Sequence, residues 1–245
     1  MPLDSFESGP VDVPDEPGEP EPEVPAIELA LDAACRAEGL DESLAGLTGD
    51  AMVEAVHEAT AALDCSDYSE ARLFMMNVLE PARTGLIESV YIGLQVEPDG
   101  TTTPGTLNTE HSWPQSQGAD VNPARCDLHH LYPADGGVNS RRSNLAFGRV
   151  TEATWSEAGS ARGIDGIGET VFEPRDAHKG NVARSLLYFA ARYDYTLDAS
   201  YQALLQEWSA FDPPDEAELD RTLAIADEQG AVNPFVVCPW AVDAL

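Results

Sequence analysis

Lysine is almost missing from this chain. Lys179 is its one lysine, 13 cationic residues face 44 acidic ones, and the net charge is −31. That balance argues against a protein that captures nucleic acid through a broad basic face, because such a surface repels polyanions, and itself, at long range. In molar salt the screening length falls to roughly 3 Å and both penalties fade. The composition therefore fits work in concentrated brine as well as it fits an acidic solvated face with an acidic tail. Long apolar runs are missing too. Nothing approaches the roughly 18 residues that a membrane-spanning helix needs, so no membrane span is expected. The opening residues have neither the basic region nor the apolar core of a signal peptide, so none is expected within this chain, which leaves a processed secreted form open. No Cys-x-x-Cys pair occurs, which argues against a zinc ribbon.

The cysteines that are present number 4: Cys35, Cys65, Cys126 and Cys238. They allow three full pairings. Their even number and wide spacing favour two disulfides and an oxidising compartment, secreted or periplasmic, over buried thiols in a cytosolic protein. With 245 residues and 43% hydrophobic content, the chain is long enough to bury a proper core. Residues 1–25, typified by VPDEPGEPEPEVP, combine helix-blocking prolines with mutually repelling carboxylates. They read as an extended acidic arm with no chemistry, leaving 26–245 as a single domain.

Helical spacing begins near Ala26, with Ile27, Leu31, Ala34 and Cys35 on one face and Gly39 as a stop. Asp50 can cap a second helix that turns Met52, Val56, Ala59 and Leu63 inward. A third runs from Ser66–Asp67 to Pro81 with Phe74, Met75 and Met76 in the core, and Cys35 and Cys65 could staple these helices together. Residues 89–96 (SVYIGLQV) read as a strand bounded by Pro98-Asp99-Gly100, with a short partner through Thr101–Thr103. The glycine-rich stretch 150–180 reads as loop, with His178 part of it. Further helices are expected over 181–195, 200–210 and 216–228, the last stopped by Gly230, before a tail that packs or frays. The fold class is α+β and helix-rich.

Chemistry concentrates in residues 108–148, which hold Glu110, His111, Asp127, His129, His130, Asn139, Arg142 and Asn144. Pro114 pushes Trp113 toward an extended conformation, so Glu110–Trp113 should lie on a strand or at its end. Neighbours on a regular strand face opposite ways. Glu110 and His111 can therefore share a site only where the strand ends or bulges. Cys126–Tyr132 reads as a second short strand, with Asp127, His129 and Leu131 on one side and His130 on the other. After a turn at 134–137, a short helix places Asn139 and Arg142 on one face.

Strand, strand and helix in this order resemble the endonuclease I family of sugar-non-specific nucleases, built on the ββα-metal (His-Me finger) motif. The matching pieces are Glu110-His111-x-Trp113-Pro114, Asp127-Leu128-His129-His130-Leu131-x-Pro133 and Val138-Asn139-x-x-Arg142-x-Asn144. Ser89–Gly93, Lys179–Arg184 with Tyr188 and Arg192-Tyr193, and Gln229–Phe235 are similar to flanking elements of the family, so the resemblance covers about residues 70–240. Thr222 departs from the asparagine expected after Arg221.

The resemblance implies a ββα module over about 106–148 in which His111 is the general base and Glu110 and Asn139 hold one divalent cation. A carboxylate and an amide oxygen are hard ligands that suit Mg²⁺, with Mn²⁺ or Ca²⁺ as substitutes, better than zinc. Arg142 and Arg184, with Arg125, are candidates for the cation that grips the scissile phosphate. Asp127, His129, His130 and Asn144 are expected to brace the site, Trp113 to pack, and Lys179 either to touch phosphate or to pair with carboxylates. The implied activity is sequence-tolerant hydrolysis of DNA, and of RNA, to 5′-phosphate products by a monomer. The rival readings are a non-catalytic module that keeps the site to bind Ca²⁺ or a partner protein, and a phosphodiesterase for small substrates.

Overall fold

The computed structural model describes residues 24–245; all but the end of the arm expected over 1–25 lies outside them. Helices α1 (Ala26–Ala37), α2 (Leu40–Ser43), α3 (Asp50–Ala59) and α4 (Tyr68–Phe74) come first, and α4 runs on through a π turn at Met75–Leu79. Strands β1 (Ile87–Glu88) and β2 (Gln95–Val96) form a small antiparallel pair. Strands β3 (Leu107–His111) and β4 (Leu131–Asp135) form a second, and α5 (Gly136–Arg142) follows directly. Strands β5 (Glu152–Glu157), β6 (Ser160–Ile164) and β7 (Thr170–Glu173) make a three-stranded antiparallel sheet. Helices α6 (Lys179–Arg192), α7 (Ala199–Phe211), α8 (Glu216–Gln229), α9 (Pro234–Val237) and α10 (Trp240–Asp243) complete an α+β fold.

Helix α6 is apolar around most of its girth. Val182, Leu186, Leu187, Tyr188 and Phe189 are all enclosed, as a helix in the middle of a core must be. Gly180 lets its first turn meet the chain at Asp212 closely, since a Cβ there would fall 1.8 Å from the Asp212 carbonyl oxygen. The tail is not frayed. Asn233 caps α9 through the Phe235 N–H at 3.0 Å and donates to the Arg184 carbonyl at 3.2 Å. Thr222, the departure noted above, accepts the Asn233 N–H at 2.8 Å.

Four local expectations are corrected. Residues 89–96 are not one strand: Gly93, at φ 67°, lets the chain reverse, and Ser89 N–H bonds the Leu94 carbonyl across the turn. Thr101–Thr103 form no partner strand, because the Thr101 N–H and hydroxyl both go to Asp99 Oδ1 and its carbonyl accepts from Asn77. Cys126–Tyr132 begins instead as a 3₁₀ turn at Leu128–His130, capped by Asp127 Oδ1 on the His129 N–H at 2.9 Å. The region 150–180 holds three paired strands rather than loop alone. Ala158 and Gly159, both at positive φ, make the tight β5–β6 turn that two such residues favour.

The cysteines also pair differently from the suggested Cys35–Cys65 staple: the bonds are Cys35–Cys238 and Cys65–Cys126. Cys35 lies on the face of α1 that packs against α9, which brings the tail's cysteine to it. The first bond closes 203 residues of chain. His178, expected as part of a loop with no special role, is enclosed between the rings of Tyr91 and Tyr132, with centroids 5.9 and 4.9 Å away.

Replacing both Cys35 and Cys238 by alanine is expected to lower unfolding stability by about 2–5 kcal/mol, through the regained freedom of the unfolded chain; an unchanged urea midpoint would refute this. Burial, with nearby Arg175, Arg221 and Arg184, pushes the His178 imidazole down to about 3. Because the folded state favours the neutral ring, its contribution is complete above the ordinary value of about 6.5 and is lost as pH falls toward 3. Between pH 7 and 5 that single ring should cost about 2 kcal/mol. His178→Gln should flatten the pH dependence of denaturant stability by that amount, relative to the parent.

Candidate active site

The β3–β4 pairing sets the site. Glu110 lies opposite Tyr132 and His111 opposite Leu131. His111 is the last residue of β3, which meets the requirement that the strand end there if both side chains are to serve one place. Asp135 starts α5 immediately after β4: its Oδ1 accepts the Gly137 and Val138 N–H groups at 2.9 and 3.2 Å, and its Oδ2 accepts the Thr106 hydroxyl. Ser143, at φ 56°, ends the helix. A cavity of about 380 Å³ opens among these elements, lined by Glu110, His111, Gln115, Asn139, Arg142 and Asn144 with their neighbours.

Glu110 is 2% exposed. Both of its protein contacts fall on Oε1, which accepts the Tyr91 hydroxyl at 2.8 Å and lies 3.1 Å from Arg142 Nε. Burial raises its carboxyl above the usual range, against the opposing pull of Arg142 and Tyr91. Asn139 is oriented by its amide nitrogen, which donates to the Thr109 carbonyl at 3.1 Å, so Oδ1 is the atom turned away from the strand. A carboxylate oxygen and an amide oxygen at one cavity make a hard donor set that fits a divalent cation of the Mg²⁺ class. Among the described residues, no cluster of three or more histidine, cysteine or acidic ligands forms elsewhere.

His111 is 7% exposed. Its Nε2 lies 3.1 Å from the Arg125 carbonyl oxygen. That acceptor places the ring proton on Nε2 and leaves the lone pair on Nδ1. The Gln115 amide nitrogen sits across the same edge, 3.4 Å from Nδ1 and 3.1 Å from Nε2. Burial holds the imidazole down to about 4, with only the Arg125 carbonyl pulling the other way.

The other candidates separate cleanly. Asp127 is enclosed and accepts the hydroxyls of Tyr188 and Tyr193 at 3.0 and 2.9 Å besides capping His129. His129 Nε2 meets the Ala231 carbonyl at 2.8 Å and His130 Nε2 the Ala124 carbonyl at 2.6 Å. His130 stands behind the site, its ring 5.4 Å from that of His111 and 4.7 Å from that of Phe189. Asn144 stands at the rim, where its carbonyl accepts from Gln117. Trp113 packs on Phe189 at 4.9 Å, and Lys179 pairs with Glu173 and Asp176.

Two of the three candidate cations are already committed. Arg142 is buried in the cavity wall, where it contacts Glu110 and donates to the carbonyls of Ser112 and Ser143. Arg184 must be corrected: it is 0% exposed inside the helical core, paired with Glu218 and bonded to the carbonyls of Ser209 and Asp212. A guanidinium enclosed in that way has no face for a phosphate. Arg125 is half-buried, and its guanidinium lies 4.5 Å from the Tyr68 ring centroid.

Several supporting residues were not singled out from the sequence. Gln229 grips the turn before β4, its Oε1 accepting the Leu128 N–H and its Nε2 donating to the Cys126 carbonyl, both at 2.9 Å. Arg221 donates to the carbonyls of Leu128 and Leu131 while pairing with Glu80. Tyr91 lay in plain view but read as a strand residue. Gln115, in WPQS, had only its closeness in sequence to His111 to recommend it.

The family model for Endonuclease I matches residues 86–240. An extracellular ribonuclease of Bacillus subtilis (strain 168) is 32% identical over 224 residues, 82% of this chain and 76% of that protein. An extracellular ribonuclease of Bacillus amyloliquefaciens is 38% identical over 158 residues, 56% of this chain and 53% of that protein. A periplasmic deoxyribonuclease of Aeromonas hydrophila is 31% identical over 123 residues, 48% of this chain and 50% of that protein.

Proposed function

We propose that this chain, which belongs to the endonuclease I family, is a metal-dependent endonuclease that hydrolyses phosphodiester bonds in DNA and RNA with little sequence preference. The observation that carries the reading is that Glu110, His111 and Asn139, from a strand end and a helix, line one cavity. Relatives with secreted or periplasmic names and two disulfides support the same compartment for this protein. The net charge of −31 supports action at high salt, where repulsion between surface and substrate is screened.

Each protein group then has a task. His111 Nδ1 takes the proton of the attacking water, while the Arg125 carbonyl holds Nε2–H and with it the ring's orientation. Arg125, of the three candidate arginines the one not committed to a carboxylate, supplies the cation for the reacting phosphate. Glu110 and Asn139 would hold one divalent cation, Mg²⁺ by preference, which when bound supplies positive charge against the charge that develops on the phosphate and the departing 3′ oxygen. Arg142 and Tyr91 hold Glu110 in place and favour its ionised form against the pull of burial, and the products carry 5′-phosphates.

Plasmid DNA should be cut in Mg²⁺ and left intact in EDTA. His111→Ala should lower kcat by about 10²–10⁴ with an unchanged melting temperature; cutting at the parental rate would remove His111 from the chemistry. Because the base acts unprotonated and its pKa is held down to about 4, kcat/KM should stay level between pH 7 and 6. An ordinary imidazole would lose about two-thirds of its activity over that interval. A chain that binds Ca²⁺ but cuts neither DNA nor RNA would instead be a non-catalytic module.

A further inference from the structure

In a protein with 13 cations and 44 acids, most of the cations sit against a carboxylate. Among the described residues, Arg72, Arg125, Arg141, Arg162 and Arg192 take part in no ion pair. Two of these five meet at one ring. The guanidiniums of Arg72 and Arg125 lie 5.3 and 4.5 Å from the centroid of Tyr68, and that ring lies 5.5 Å from the ring of His111. All three side chains are half-buried. Arg72 is held rather than loose: its Nε donates to the Thr109 hydroxyl at 3.0 Å and its Nη2 to the Thr102 carbonyl at 3.3 Å, while Nη1 makes no hydrogen bond among the described residues. Asp67, one residue before Tyr68, is turned to the N–H groups of Ser69 and Glu70. Tyr68 and Arg72 precede the stretch 86–240 that the family model matches.

Carboxylates are plentiful in this sequence, yet none answers either guanidinium among the described residues. A phosphate oxygen would answer Arg72, since an arginine fork matches that geometry. We propose that Arg72, held beside Arg125 on the Tyr68 ring, forms a subsite for the phosphate that flanks the cleaved linkage in a nucleic-acid strand, next to the reacting phosphate that Arg125 takes. Tyr68 is the positioning residue: cation–π contacts keep both guanidiniums at the His111 edge. The subsite rests on the nuclease reading above, and extends it from a single phosphodiester to a strand at least two phosphates long. Such short-range contacts also suit a surface that cannot steer polyanions from afar.

The test uses the full chain and short single-stranded DNA in EDTA, where binding is read without cleavage. A scan that replaces one linkage at a time with neutral methylphosphonate should weaken parental binding about tenfold at a linkage beside the cleaved one. Arg72→Gln should weaken binding of the unmodified strand by a similar factor, lower the slope of log Kd against log salt by about one phosphate contact, and lose sensitivity to that neutral linkage. Arg72→Lys should keep most of the salt slope. With Mg²⁺ restored, Arg72→Gln should lose about tenfold more of its rate on the strand than on bis(p-nitrophenyl) phosphate, which has one phosphate. Parental binding and salt slope in Arg72→Gln would overturn the proposal, and so would equal losses on the small diester and the strand. The parental scan needs no variant, so a lack of any sensitive flanking linkage overturns it independently of folding. A parent that shows the sensitive linkage yet cuts nothing in Mg²⁺ would refute the nuclease reading and leave the subsite standing.

Discussion

Enclosing Glu110 is the constraint around which the molecule is arranged. A carboxylate that is 2% exposed loses its hydration, and burial alone would drive it toward the neutral acid. Two groups oppose this, and they come from distant parts of the chain: the Arg142 guanidinium at the end of α5 and the Tyr91 hydroxyl from the β1–β2 turn. Arg142 can arrive only if α5 starts at once after β4, in the register that pairs Glu110 with Tyr132. The same helix then turns Asn139 to the cavity. One buried charge thus ties together a strand register, a helix start and a tight turn.

Behind this layer the polar groups are nearly all answered by protein. Asp127 gathers a backbone N–H and two phenol hydroxyls, His129 and His130 each meet a backbone carbonyl, and Gln229 and Arg221 hold the turn at 128–131 from α8. Of these residues only His130 keeps a buried ring nitrogen, Nδ1, without a partner, and satisfied buried networks are rigid. His111 therefore faces the cavity from a firm support, and its depressed basicity follows first from enclosure and then from the nearby charges of Arg125, Arg142 and Arg72. The acidic surface carries the opposite character. It gives no long-range attraction to a polyanion, so recognition must rest on contacts made within a few ångströms.

Much of the helical part could be read from spacing alone, because an amphipathic or all-apolar period survives whatever the helix packs against. Helices α1, α3, α6, α7 and α8 lie close to their expected places. Two of the misreadings share a cause: side chains that satisfy the backbone locally. Asp99 holds Thr101 and Asp127 caps Leu128–His130, so stretches with strand composition form turns. Glycines at 159 and 168 sit between paired strands, and turn residues look alike whether they join strands or fill a loop. His178 was misjudged because its neighbours, Tyr91 and Tyr132, are remote in sequence.

By itself the sequence determined the chemistry available: one short stretch with a carboxylate, an imidazole and an amide in strand–strand–helix order, an acidic balance, and an even set of cysteines. Those are properties of composition and spacing, and they survive without coordinates. Tertiary structure alone decided the partners. It gave Arg184 to Glu218, Cys35 to Cys238 and the His111 ring to the Arg125 carbonyl, and it left Arg72 and Arg125 together on Tyr68 without a carboxylate among the described residues. Which charge meets which depends on distances across the fold, and electrostatic and hydrogen-bond energies fall off too steeply with distance for a linear order to encode them.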